Sequence, residues 1–318
     1  MSRIGDLGDR LYRGEVSYDF MGRRRIWYAI AGTLILLSLV VMVGRGLNFN
    51  VDFRGGSELV VSGANCSVEQ ARETVVATGL GGEPTVQTVG GSDVRVQVGE
   101  LAVDESRRLQ QALAQACGVP VEQVSANFVG PSWGADVSSN ALRGLAVFMV
   151  LVVIFLSLYF EWRMAVAALL ALVHDLVLTA GIYALVGFEV SPATVIGLLT
   201  VLGYSLYDTV VVFDKVKENT AGILGGSRST YAEAANLAVN QTLVRSINTS
   251  IISLLPVAAI FFIGAGLFGA GTLKDLSLVL LVGLAAGAYS SIFIATPFLV
   301  QLKEHEPAIQ ALAKRVSA

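Results

Sequence analysis

Six uninterrupted apolar stretches dominate this chain, each about the roughly 17 to 25 residues that a helix needs to cross about 30 Å of hydrocarbon. They cover residues 26–43, 141–160, 164–187, 193–213, 246–267 and 276–300. Of 318 residues, 54% are apolar and only 15% charged, and the mean hydropathy is +0.65. These values lie outside the soluble globular range, so the chain belongs in a lipid bilayer. The first stretch has no small-residue cleavage site after it and reads as a retained helix, not a removed signal peptide.

Several function classes drop out at this level. A net charge of −3 with no long basic run speaks against nucleic acid as a partner. The two cysteines lack CxxC spacing, which removes the usual redox and zinc motifs, and no metal or cofactor is expected. No GxxxxGK[ST] phosphate loop is present, so ATP is not the direct energy source of this chain. An ion gradient is the remaining candidate.

Positive residues in short flanks resist translocation and set orientation. Arg23, Arg24 and Arg25 place residues 1–25 in the cytoplasm. Six crossings then put the turn at Glu161, Trp162 and Arg163, the loop 214–245 with Lys215, Lys217 and Arg228, and the tail 301–318 with Lys303, Lys314 and Arg315 on the same side. The opposite connections are poor in positive charge, with none at 188–192 and only Lys274 before the last helix. The map is therefore a helix at 26–43, an exported domain at 44–138 and a five-helix membrane region at 139–300.

The exported segment carries alternating and amphipathic patterns. Glu58 to Val61 predicts a strand, and Ser67 with Gln70 three residues on predicts a capping box opening a helix to Thr78. Residues 85–89 and 94–98 alternate with period two around Gly90, Gly91, Ser92 and Asp93, a hairpin. Asp104 reads as the cap of a second helix that ends at Cys117 and Gly118, and residues 124–129 form a last strand. The order β-α-β-β-α-β is that of the ferredoxin-like split βαβ sandwich. In that sandwich the helices run antiparallel, which brings Cys66 near Cys117. Both face an oxidising compartment, and they are read either as a disulfide or as two buried thiols.

Ionisable side chains inside a membrane cost at least about 2.5 to 3.5 kcal/mol near a helix centre and mark function by default. His174 and Asp175 lie mid-way along the third helix, and Asp208 in the fourth, within the run Gly203 to Thr209. Arg245 opens the fifth, with Asn248, Thr249 and Ser253 on nearby faces. Asp208 is expected to exchange a proton with Arg245 as its counter-charge; the competing reading is a structural ion pair between two helices. His174, Asp175, Tyr204, Ser205 and Thr209 are possible supporting polar groups. His174 and Asp175 project about 100° apart on a helix, which argues against one dyad. Gly283 and Gly287 form a GxxxG pair in the last helix, with Ser290 and Ser291 following, and allow close approach of a neighbour.

Taken together, these motifs carry a resemblance. Val51-Asp52-Phe53-Arg54-Gly55-Gly56 after the first helix, His174-Asp175, the run from Gly203 through Asp208 to Asn219, and Gln241 to Ser246 resemble the SecF members of the SecD/SecF family over nearly the whole chain. The resemblance implies a fold like one six-helix half of the RND transporters. It implies work in the bacterial plasma membrane with a SecD-like subunit beside the SecYEG channel, and use of the proton-motive force to draw unfolded polypeptide outward. Asp208 and Arg245 stand at the family's proton-coupling positions, and Asp52, Phe53, Gly55 and Gly56 at its conserved segment where the chain enters the exported domain. Tyr207 departs from the Asn of the common form, and Lys215 and Lys217 from its Arg. The alternative is half of an RND-type small-molecule exporter; an intramembrane enzyme built on His174 and Asp175 lacks a nucleophile or metal set.

Overall fold

The computed structural model describes residues 10–11, 13, 15–89, 93–226, 228–265 and 271–317. Gly90, Gly91 and Ser92 of the expected hairpin turn, the last two residues of the expected fifth stretch and most of the first fourteen residues lie outside the described residues. In chain order the elements are α1 (Arg24–Arg45), β1 (Asn48–Phe49), the one-turn α2 (Val51–Arg54), β2 (Gly56–Val61), α3 (Val68–Thr78), β3 (Thr85–Val89), β4 (Asp93–Val98), α4 (Val103–Cys117) and β5 (Val124–Val129). Then follow α5 (Pro131–Tyr159), α6 (Trp162–Val186), β6 (Glu189–Val190), α7 (Pro192–Asn219), α8 (Tyr231–Ala259), α9 (Gly271–Ser290), α10 (Thr296–Glu304) and α11 (Pro307–Ser317).

Six helices among the described residues are long and apolar enough to cross a membrane. In hydrocarbon every backbone N–H and C=O must find its partner within the segment, which only a helix provides for a single span. Local chemistry sets their ends. Pro192 opens α7 where its missing N–H is not needed, and the Ser191 hydroxyl accepts from the Thr194 N–H. Thr230 and Glu233 close a capping box on α8. α6 stops at Gly187, whose φ of 81° is the left-handed conformation that glycine adopts freely. α9 runs into α10 through a π-helical turn, Ser291–Ala295.

The helices meet where side chains vanish. A Cβ on Gly283 would lie 2.5 Å from Val201, one on Gly287 2.9 Å from Ser205 Cβ, and one on Gly197 2.2 Å from Val279. α9 thus seats directly on α7, as the GxxxG spacing predicts. Gly181 does the same for α1, since a Cβ there would meet the Ser38 Cα at 2.7 Å. At the end of the bundle away from the insertion, Arg24 pairs with Glu304, Arg163 with Glu306, and Lys303 with Glu161. There too Asn240 grips the Tyr18 backbone through both its N–H and its C=O.

Between α1 and α5 lies a four-stranded antiparallel sheet in the order β3-β4-β2-β5, with α3 and α4 over one face. Leu59, Val61, Val75, Val96, Leu109 and Leu113 form its core. Ser67 and Gln70 exchange the two capping-box hydrogen bonds. The cap of α4 is a correction: Ala102, not Asp104, holds that position, because the Glu105 carboxylate reaches back to the Ala102 N–H. The last strand ends where expected, but the helix after it starts early. β5 stops at Val129 and α5 begins at Pro131, earlier than the apolar run suggests, because its first turns carry polar residues such as Asp136 and Asn140.

Cys66 and Cys117 are joined in a disulfide spanning 51 residues. Closing a loop of that size in the unfolded chain stabilises the domain by roughly 2–4 kcal/mol. Replacing both cysteines by serine should lower the denaturant midpoint of the inserted domain accordingly. Alkylation of the denatured, unreduced protein should label neither thiol; two labelled thiols would contradict the bond.

The other face of the sheet is polar and lies against the membrane region. Gln97 donates to Asn50 at 3.0 Å and Gln87 to Glu189 at 2.6 Å, while Arg95 pairs with Glu58 at 3.6 Å and Glu189 at 3.4 Å. β1 and β6 form a parallel ladder, Asn48 opposite Glu189 and Phe49 opposite Val190. The Asp52 to Gly56 segment is the elbow between helix and sheet. Gly56 has φ 137°, and a Cβ there would lie 2.5 Å from the Val98 carbonyl, so only glycine fits.

Candidate functional site

Asp175 on α6 is fully buried, and Asp208 on α7 nearly so. Each is held by hydroxyl groups from two other places in the bundle. Ser246 on α8 donates to Asp208 Oδ1 at 2.9 Å, and Ser291, opening the π-helical turn, donates to Oδ2 at 2.8 Å. Ser205 on α7 donates to Asp175 Oδ2 at 2.5 Å and Ser290 at the end of α9 donates to the same oxygen at 2.8 Å. Adjacent residues at one helix junction thus serve two different carboxylates. π-helical turns inside helices recur at functional sites, and this one sits where both acids are reached.

The expected contact between Asp208 and Arg245 is not made: among the described ion pairs neither residue has a charged partner. The reason is helical geometry. Residues 245 and 246 project about 100° apart, and it is Ser246 that faces Asp208. Arg245 lies on the exposed side of α8 and donates to the Tyr207 hydroxyl at 3.4 Å. Tyr207, the departure from the common Asn, is therefore the residue that holds the guanidinium. Further, His174 and Asp175 do touch, Nδ1 to Oδ1 at 3.2 Å, because the two side chains bend toward each other despite their divergent Cα–Cβ directions.

Tyr204, Ser205, Asp208, Thr249, Ser253 and Gly287 surround a cavity of about 30 Å³. A space of that size, bordered by the Asp208 carboxylate and the Ser205 hydroxyl, has room for about one or two waters. Thr209 is buried with its hydroxyl unpartnered and does not touch Asp208. Near the middle of α8, Arg245 shares the lateral surface with Tyr204 and Tyr207, both about half exposed.

None of the family segment Asp52, Phe53, Gly55 and Gly56 contacts these carboxylates: Phe53 packs against the apolar cluster of Tyr183, Val190, Leu278 and Val279, and Asp52 belongs to a second polar cluster under the sheet. Asp52, Glu58, Arg95 and Asp275 line a cavity of about 330 Å³ there. Burial pushes the Glu189 carboxyl up, against the lowering effect of Arg95; burial, then Glu58, pushes Asp52 up. Ser246 and Ser291 escaped the sequence reading as partners of Asp208, since a serine in an apolar helix looks like a packing residue until its neighbour is known.

The family profile described as "Protein export membrane protein SecD/SecF, C-terminal" matches residues 109–305. Protein translocase subunit SecF of Streptomyces coelicolor is 52% identical over all of this chain and 85% of its own length. SecF of Mycobacterium tuberculosis is 45% identical over 96% of this chain and 72% of its own. The crystal structure of SecDF, a translocon-associated membrane protein from Thermus thermophilus, superposes with a TM-score of 0.82 at 31% identity, covering 96% of this chain and 40% of that one. The chain thus spans about two fifths of that solved protein.

Proposed function

This chain belongs to the SecD/SecF family of protein-export membrane proteins, and from that premise we propose that it is the SecF-type subunit through which a proton gradient assists Sec-dependent export. The observation that carries the reading is Asp208. It is a buried carboxylate inside a membrane-spanning bundle, it has no ion-pair partner among the described residues, it is held by hydroxyls from two other segments, and it borders a space large enough for water. An ionised carboxylate makes charge-assisted bonds roughly twice as strong as neutral ones. Protonation weakens the Ser246 and Ser291 bonds together and loosens the junction of α7, α8 and the π-helical turn.

The exposed face bearing Arg245, Tyr204 and Tyr207 is where a SecD-like half fits, which agrees with relatives in which both halves form one chain. The complex acts beside a SecYEG channel in the bacterial plasma membrane, with both termini cytoplasmic and the inserted domain outside. Its strand order β3-β4-β2-β5 with two helices on one face supports a ferredoxin-like assignment, and its polar docking onto the bundle gives helix movements a route to a domain that grips translocating polypeptide. A small-molecule exporter half is not favoured, since the relatives are translocase subunits.

The partnership is tested by purification in mild detergent from the native membrane. A SecD-like subunit should co-purify with the chain, and substituting Arg245 by Glu should reduce its recovery by at least tenfold, the effect of about 1.4 kcal/mol. Recovery of the chain alone, with no such subunit, would count decisively against the reading.

A further inference from the structure

Asp208 is not the bundle's only buried acid, and the two are connected. Ser205 and Asp208 lie one turn apart on α7, and both line the same water-sized cavity. Ser205 also donates to Asp175 Oδ2 at 2.5 Å. On the other side, consecutive residues Ser290 and Ser291 donate one to each acid, both at 2.8 Å. His174 touches Asp175 through Nδ1, and its Nε2 is buried without a hydrogen-bond partner. No other charged side chain makes an ion pair with Asp175 among the described residues.

We propose, resting on the reading of Asp208 above, that Asp175 is a second proton station, reached from Asp208 through one cavity water and the Ser205 hydroxyl. A hydroxyl both donates and accepts, so Ser205 can pass a proton on while remaining neutral. The transfer balances as follows. The Asp208 carboxylic acid gives its proton to the water, the water gives another to Ser205 Oγ, and Ser205 gives its own to the Asp175 carboxylate. The products are an Asp208 carboxylate and an Asp175 carboxylic acid, with water and hydroxyl regenerated. A proton held between two buried acids also relieves the cost of burying two anions in one bundle. His174 is the group next in contact, through Nδ1.

A purely structural role for Asp175, stapling α6 to α7 and α9, predicts something different. Ser205 and Ser290 each contribute one hydrogen bond to the same carboxylate oxygen, so in a staple their removal has matching effects. In a relay they are unequal, because only Ser205 borders the cavity shared with Asp208.

The experiment reconstitutes the full chain with its SecD-like partner in liposomes containing a pH-sensitive dye and follows proton entry under an imposed gradient. Wild type is compared with Asp175→Asn, Ser205→Ala, Ser290→Ala and Asp208→Asn. Asp175→Asn should reduce proton entry at least tenfold, Ser205→Ala by a similar factor, and Ser290→Ala by no more than two- to threefold. Wild-type flux in Asp175→Asn overturns the proposal. So do equal effects of the two serine changes, whether both are large or both absent. If Asp208→Asn abolishes flux while Asp175→Asn does not, only this inference fails; if neither matters, the reading of Asp208 fails with it.

Discussion

Asp208→Asn is expected to abolish the stimulation of export by a proton gradient while leaving membrane insertion and partner binding intact. The amide is nearly isosteric and cheaper to bury than a carboxylate. Asparagine can also keep both neighbours, accepting from one serine through its oxygen and donating to the other through its nitrogen. A structural role for Asp208 would thus survive the substitution, and only a proton-carrying role is lost. In inverted vesicles the variant should export at the rate the wild type shows without a gradient. A full gradient response in Asp208→Asn would end the proton-carrier reading. Ser246→Ala and Ser291→Ala remove one charge-assisted bond each, worth about 1.5–3 kcal/mol, and should impair coupling without eliminating it.

The membrane architecture was legible because it is written in long runs: residues 26–43 lie within α1 and 164–186 within α6, and lipid leaves an apolar run little alternative to a helix. The inserted domain was legible for a different reason, the switch from period two to helical spacing together with local signals such as Ser67 and Gln70. Those signals act over three or four residues. What failed needs rotation about a helix axis relative to a neighbour. Nothing in the order Arg245-Ser246 says which of the two faces Asp208, and that single rotation decides between an ion pair and a hydroxyl cradle. The same holds for Ser290 and Ser291, which the sequence presents as one small polar pair and the fold divides between two carboxylates. The role of Tyr207 became visible only once Arg245 was seen to turn outward.

Arg95→Met should release the inserted domain from the bundle at neutral pH. Arg95 is the cation that faces Glu58 and Glu189 under the sheet, and the Glu189 side chain is only 5% exposed. Removing one partner of a buried pair costs about 3–5 kcal/mol, because the remaining charge is left uncompensated. The cost can be escaped by protonating Glu189 or by undocking. Burial already pushes Glu189 up, and Arg95 pulls against that shift. The docked form therefore binds the Glu189 proton more tightly than the undocked form does. Docking is fully stable below the ordinary carboxylate range and weakens as pH rises through the raised value. Without Arg95 the opposing pull is gone, so the weakening with pH becomes larger. The β1–β6 ladder reports it directly, since the Asn50 N–H is bonded to the Val190 carbonyl at 3.0 Å and must open when the domain leaves. Relative to wild type at each pH, amide exchange at Asn50 should rise roughly 10²–10³-fold in Arg95→Met at neutral pH, the equivalent of about 3–4 kcal/mol, and approach wild type under acid conditions. The double change Arg95→Met with Glu189→Gln should restore most of the slow exchange at neutral pH, because the neutral amide still accepts from Gln87, and Glu58, the other carboxylate left without Arg95, is less buried and keeps its hydrogen bond from Gln97. Exchange in Arg95→Met as slow as wild type at neutral pH would show that the domain is held by its backbone ladder alone.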